Sequence, residues 1–173
     1  MESYYSLGNS SVLTAEVSRQ VKKNTVATGC CFAEVEVDMK LGKIKVLDIV
    51  NVHDSGILLN PQLAAMQVHG GMSMGMGCGL SEQLLLDEKT GRPLNGTLLD
   101  YKLMTTMDTP DLTAEFVELN DPMGPYGNKA LGEPPAIPGA PAIRNAVLHA
   151  TGIGFAEIPL TPQRLIDGFT KAG

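Results

Sequence analysis

The sequence predicts an α+β fold, a mixed β-sheet packed with helices, one of which is long and rich in glycine. Residues 30–39 alternate apolar and polar side chains with a period of two, and residues 44–52 follow a turn that contains glycine. Together these two segments predict a β-hairpin. Asn60-Pro61 then predicts a helix start, because Asn caps free backbone N–H groups and Pro fits the first turn. Strands mixed with helices, without a regular βαβ repeat, indicate α+β.

The predicted glycine-rich helix runs from Asn60 to about Leu84. Four of its residues recur at every fourth position and therefore line one face: Gln67, Gly71, Gly75 and Gly79. A helix face without side chains allows another element to lie directly against the backbone. From the sequence, that element could be a second helix, a sheet or a ligand.

The rest of the chain alternates short elements and turns. A second strand pair is predicted at 83–87 and 94–103, a strand at 114–119 and a Pro/Gly-rich loop at 121–141. Pro141 begins a short helix that Gly152 ends, and Thr161-Pro162 begins a last helix. Three residues of this last helix are expected to face inward: Leu165, Ile166 and Phe169. We therefore expect a polar, poorly ordered segment over 1–28 and one domain over 29–173.

Composition excludes several classes of protein. A hydrophobic content of 43% in 173 residues predicts a folded core. The net charge of −6 disfavours a nucleic-acid partner. Three cysteines provide no paired framework, which indicates a reducing cytoplasm. Residues 55–81 carry no charged side chain and are long enough to span a membrane, yet polar residues and glycines make a buried helix the better interpretation.

The loop around Glu133 is the strongest candidate for a chemical site. Glu133 lies between Gly132 and two prolines, and Pro134 restricts Glu133 to extended backbone. A stiff backbone reduces the entropy that is lost when one carboxylate is held in one pose. Taken from the residues alone, an idle surface glutamate remains the alternative.

The run Lys129-Ala-Leu-Gly-Glu-Pro-Pro135 resembles the active-site signature of the molybdenum hydroxylases, the family of xanthine dehydrogenases, aldehyde oxidases and carbon monoxide dehydrogenases. Further stretches are similar to the family in the same order: Phe32–Asp38, Asp48–Pro61, Gln67–Gly71, Leu99–Lys102 and Thr161–Ile166. The resemblance covers residues 29–169. It implies the C-terminal part of a molybdenum-binding subunit, closest to bacterial xanthine dehydrogenase.

The resemblance also implies roles for individual residues. Glu133 would be the general base that takes a proton from a hydroxide on molybdenum, so that the oxygen can attack an electron-poor carbon. Gln67, Gly70 and Gly71 would approach the pterin of the molybdopterin cofactor, which could carry a nucleotide extension, although helix packing is an equal alternative for the glycines. Lys129 is a candidate for the same site or for steadying the loop. No protein ligand to the metal is expected.

The family subunit is several times longer than this chain. The resemblance therefore implies a fragment that is inactive and free of cofactor by itself. It would need the rest of the subunit and iron–sulfur and FAD partners. The substrate of the whole enzyme would be a small heterocycle such as a purine. Exposed apolar faces would favour a homo-oligomer. The alternatives are an aldehyde oxidase-type hydroxylase, a scaffold or assembly domain without catalysis, and a small-molecule binding module.

Overall fold

A computed structural model describes residues 15–18 and 24–172 of the chain. Its sheet has three strands in the order β1 (Thr28–Asp38), β2 (Lys43–Asp54) and β3 (Asp111–Phe116). β1 and β2 are antiparallel, and β2 and β3 are parallel. The predicted hairpin and the mixed sheet are therefore confirmed. The β1–β2 turn places Gly42 at a φ of 61°, in the left-handed region that favours glycine.

Helix α1 (Pro61–Leu80) begins where the sequence predicts. The side chain of Asn60 accepts a hydrogen bond from the Leu63 N–H at 3.0 Å, which satisfies one free donor of the first turn. The predicted end at Leu84 is wrong by four residues. Ser81 leaves the helix and donates its hydroxyl to the Lys102 carbonyl at 2.8 Å. Among the described residues, no helix combines the length and apolarity that a membrane crossing requires.

Two shorter helices follow, α2 (Gly139–Thr151) and α3 (Pro162–Ala172). α2 begins two residues before the predicted Pro141 and ends, as predicted, at Gly152 with a φ of 74°. In α3, Leu165 is buried, but Ile166 is 37% exposed, so the predicted inward position of Ile166 is wrong. Its side chain lies against the β1–β2 turn at Gly42 instead of in the core.

The predicted strand pair at 83–87 and 94–103 is wrong. Within this segment the described backbone forms one isolated bridge, between Leu86 and Pro93. The Asn95 side chain bonds two backbone groups that a continuous strand ladder would pair with backbone. It accepts from the Leu85 N–H at 2.8 Å and donates to the Gln83 carbonyl at 2.6 Å. The predicted strand at 114–119 exists but is displaced to Asp111–Phe116, where it pairs with β2.

The hydrophobic core lies between the sheet and the helices. One cluster joins β2, α1 and α2 through six buried side chains: Val46, Ile49, Val68, Met72, Met76 and Ile143. A second cluster joins α2 to α3 through Val147, Phe155, Leu160 and Leu165. Because α2 contributes to both clusters, the loop that precedes it is anchored at its C-terminal end.

The glycine face of α1 is covered by the chain itself. A Cβ atom built on Gly71 would lie 2.5 Å from the Cβ of Pro135, and one built on Gly75 would lie 2.9 Å from the Ala136 carbonyl oxygen. α2 and the loop before it therefore sit directly on the backbone of α1. Of the alternatives that the sequence leaves open, packing by a second helix and its loop accounts for Gly71 and Gly75.

This packing predicts opposite effects for two adjacent substitutions. Gly71→Ala should destabilise the fold by about 1–3 kcal/mol, because the methyl group would overlap Pro135. Gly70→Ala should instead stabilise it by about 0.5–1 kcal/mol, because no atom lies within 4 Å of the added Cβ and alanine favours the helix. Urea unfolding of both variants measures the difference. Equal stability of the two variants would contradict the packing described here.

Candidate functional site

The loop that precedes α2 and the middle of α1 form the two sides of a groove of about 460 Å³. We call it the Glu133 groove, and eight residues line it: Gln67, Gly70, Gly71, Met74, Gly132, Glu133, Ala136 and Ile137. Four of the five site residues named from the sequence meet here, although the two segments lie more than 60 positions apart. The fifth, Lys129, lies elsewhere.

Glu133 stands on a rigid turn at the edge of this groove. Its own carbonyl accepts from the Ala136 N–H at 2.9 Å, which closes a turn over Pro134 and Pro135. Pro135 is fully buried, whereas the Glu133 side chain is exposed. The turn therefore anchors the segment in the core and leaves the carboxylate free to meet a molecule in the groove.

Two side-chain amides hold the backbone on either side of Glu133. The Gln67 Nε2 donates to the Gly132 carbonyl at 2.7 Å, and the Asn51 Nδ2 donates to the Pro135 carbonyl at 3.0 Å. A carbonyl oxygen can only accept, so each amide must point its nitrogen at the loop. For Gln67 this leaves Oε1 free to accept a hydrogen bond from a ligand, since no donor in the described residues reaches it.

Lys129 faces a different pocket, which it lines with Asn24, Thr25 and Met123. Its Nζ lies 2.5 Å from the Asp54 Oδ2, and each of these two side chains is only 12% exposed. Its backbone N–H donates to the Ser55 carbonyl at 2.7 Å. Lys129 thus ties the start of the loop to the end of β2, which agrees with the steadying role that the sequence suggests.

The ion pair changes the titration of Asp54. The hydrogen bond from Lys129, together with the Gly56 N–H, holds the pKa of the Asp54 carboxyl below its usual value. Charge-assisted hydrogen bonds of this kind favour the ionised carboxylate.

Sequence reasoning missed the polar residues of β2 that lie beneath the loop. Asn51 and His53 occupy successive inward positions of β2, Ser55 follows directly after the strand ends, and all three are buried. Burial lowers the pKa of His53, so its ring is neutral near pH 7. The polar Asn51 at an inward position, directly after the apolar Ile49 on the same face, was a signal of a buried hydrogen bond there, and its partner is the Pro135 carbonyl.

The groove offers backbone groups, one amide and one carboxylate. Over residues 15–18 and 24–172, no group of three or more His, Cys, Asp or Glu side chains could hold a metal ion. Because Gly70 and Gly132 have no side chain, a flat molecule can approach the main chain closely. The arrangement suits a planar heterocycle beside a residue that can accept a proton.

Comparison with known proteins identifies the family. Residues 2–110 match the model of the molybdopterin cofactor-binding domain, which is more than half of the chain. The chain belongs to this family. Gln67, Gly70 and Gly71 lie within the matched residues, and Glu133 lies beyond them.

Known relatives of this molybdopterin cofactor-binding domain extend the similarity to the whole chain. It is 49% identical over 173 residues to the putative xanthine dehydrogenase molybdenum-binding subunit XdhA of Escherichia coli, covering 100% of the chain and 23% of the relative. The Cu,Mo-CO dehydrogenase shares the fold with a TM-score of 0.78 and 27% identity, over 84% of this chain and 18% of that one. For the aldehyde oxidoreductase of Desulfovibrio gigas, the TM-score is 0.75 and the identity 29%, over 83% and 15%. The chain thus spans less than a quarter of the length of these proteins.

The Lys129–Asp54 pair predicts a pH dependence of stability. Because the folded pKa of Asp54 is depressed, its contribution is complete above the pKa of an unfolded Asp, about 3.9, and is lost as the pH falls through the lower folded value. Lys129→Met should reduce this acid-side loss of unfolding free energy, measured by urea unfolding between about pH 7 and pH 3.

A matched background serves as the control for this prediction. In an Asp54→Asn chain the carboxylate is already absent, so adding Lys129→Met should leave the pH dependence unchanged. If Lys129→Met alone retains the full acid-side loss of unfolding free energy, the lowered pKa of Asp54 does not depend on this lysine.

Proposed function

We propose that this chain forms one side of the molybdopterin site of a molybdenum hydroxylase similar to xanthine dehydrogenase, with Glu133 as the general base. The observation that carries the proposal is the convergence of Glu133 with Gln67, Gly70 and Gly71 on one groove. Similarity over the whole chain to a putative xanthine dehydrogenase subunit supports it.

The Glu133 groove fits part of a pterin cofactor. Gln67 presents a free amide oxygen, and the backbone at Gly70 can be approached closely, so these two residues would hold a heterocycle edge. Met74 and Ile137 add apolar surface along the groove. When bound, molybdopterin supplies the redox metal at which a substrate carbon is oxidised with oxygen derived from water.

Glu133 contributes a proton acceptor at this site. Its carboxylate is exposed on the groove edge, and its backbone is fixed on both sides by Gln67 and Asn51. A general base must be held within hydrogen-bonding reach of the proton that it removes. A fixed turn of this kind reduces the entropy lost in reaching that geometry.

The substrate that we propose is a purine or a related N-heterocycle. Support comes from the 49% identity to XdhA, the putative xanthine dehydrogenase molybdenum-binding subunit of Escherichia coli. An aldehyde oxidase-type reaction is the second candidate, because the Desulfovibrio gigas aldehyde oxidoreductase shares the fold at 29% identity. Electrons from either substrate would leave through iron–sulfur and FAD partners. The intact groove and its carboxylate favour catalysis over a purely structural scaffold.

The outer face of α1 is proposed to meet further protein. Leu63 and Met66 are each more than half exposed there, and the helix carries no charged residue. Apolar surface of this kind is covered in most soluble proteins. The remaining part of a molybdenum-binding subunit, or a second copy of the chain, would cover it.

Replacing Glu133 tests the proposed base directly. Glu133→Gln in the assembled enzyme should lower kcat by about 10²–10⁴-fold, because the amide cannot accept the proton, while the molybdenum content stays unchanged. Hypoxanthine oxidation and elemental analysis measure the two quantities. Glu88→Gln, an exposed glutamate outside the groove, is the matched control and should keep full activity. Normal turnover of Glu133→Gln would remove Glu133 from the mechanism.

The chain by itself should not retain the cofactor. A large ligand needs most of its surface enclosed, and the Glu133 groove would cover only one side of the cofactor. We expect purified 173-residue chain to contain far less than one molybdenum per molecule by elemental analysis and to show no hydroxylase activity. A stoichiometric amount of molybdenum would contradict this expectation.

A further inference from the structure

We propose that Asn51 is a positioning residue for Glu133. It does not line the Glu133 groove, and it acts through the backbone of the turn that carries the carboxylate. The catalytic part of this inference rests on the proposed role of Glu133. The structural part, that Asn51 holds the turn in place, can be tested independently of that role.

The contact itself is buried and long-range. Asn51 has no exposed surface, and its Nδ2 donates to the carbonyl of Pro135 at 3.0 Å across 84 positions of the chain. Among the described residues, this is the side-chain hydrogen bond that joins β2 to the turn. A buried carbonyl that loses its donor is left unsatisfied, which costs free energy. The Asn51 bond therefore stabilises the turn at this position.

Pro135 is confined from the opposite side by α1. Its Cβ and its carbonyl carbon lie 2.5 Å and 2.8 Å from the position that a Cβ on Gly71 would occupy. The proline therefore touches the bare helix backbone and cannot move closer to α1. Between Asn51 and Gly71, its position is fixed along the direction that runs from the sheet to the helix.

The fixed position of Pro135 also restricts Glu133, which lies two residues earlier in the chain. The Ala136 N–H bonds to the Glu133 carbonyl at 2.9 Å, and Gln67 holds the preceding carbonyl of Gly132. Glu133 is consequently held from β2 on one side and from α1 on the other. Loss of the Asn51 bond would free the C-terminal half of the turn and widen the range of positions open to the carboxylate.

The choice of residue at position 51 agrees with this role. Asn51 is an inward position of β2 that follows the buried, apolar Ile49 on the same face. Within the described part of the chain, its Oδ1 has no hydrogen-bond partner, a cost that an apolar side chain would avoid. An amide side chain at position 51 is explained by its Nδ2, because this nitrogen supplies the donor that the Pro135 carbonyl needs.

Hydrogen exchange in the 173-residue chain tests the structural part. Asn51→Leu keeps the approximate size and removes the donor, and Asn51→Ser is a smaller polar change that is too short to reach Pro135. Both should raise the exchange rate of the Ala136 amide by about tenfold or more, relative to the Ala142 amide at the start of α2. Asn95→Leu is the matched control, since it removes another buried asparagine that donates to a backbone carbonyl.

Steady-state kinetics of the assembled enzyme test the catalytic part. Asn51→Leu should lower kcat about 10–100-fold with little change in KM and none in molybdenum content, because the base is misplaced while the groove remains. In a Glu133→Gln background the same substitution should lower kcat less than about twofold further, since the group that it positions is already absent. A purely structural role would lower activity by a similar factor in both backgrounds.

The outcomes separate the two proposals. Unchanged exchange at Ala136 in both Asn51 variants would overturn the positioning role whatever the activity shows. Failure of both variants to fold while Asn95→Leu folds would also overturn it, because Asn51 would then serve the fold as a whole. Faster exchange of the Ala136 amide in the Asn51 variants, together with normal activity of the Glu133→Gln enzyme, would support the structural part and exclude Glu133 as the base.

Discussion

The contact between Pro135 and the bare backbone of α1 at Gly71 is the constraint on which the site depends. Without a side chain at position 71, the loop before α2 can lie against the helix, and α2 can pack beside it at Gly75. The same contact places Gly132 within reach of Gln67. The same glycine face of α1 therefore determines both the packing of the core and the geometry of the candidate site. A change that separates the loop from α1 should affect both.

Local patterns were sufficient to predict the elements whose ends are set by their own residues. The alternation in β1, the Asn60 cap and the left-handed Gly152 depend on near neighbours, and all three are confirmed. The strand pair after α1 could not be predicted correctly, because the Asn95 side chain bonds the Leu85 N–H and the Gln83 carbonyl, which a continuous ladder would pair with backbone. At the early end of α1, the Ser81 hydroxyl bonds the Lys102 carbonyl, which lies 21 positions away and is not visible from the local sequence.

The site could be predicted in its residues but not in its geometry. The resemblance to the molybdenum hydroxylases named Gln67, Gly71 and Glu133 as site residues, and the structure brings them together. The partners of Lys129 and Asn51 were not predictable, because each contact spans at least 75 positions of the chain. Such contacts exist only after the sheet, α1 and the loop have packed together.

A crystal structure of the assembled enzyme that contains this chain tests the central claim most directly. The account predicts molybdopterin against Gln67 and the backbone of Gly70, with the Glu133 carboxylate facing the metal side of the cofactor. Cofactor bound at another surface of the chain, with Glu133 directed into solvent, would contradict it.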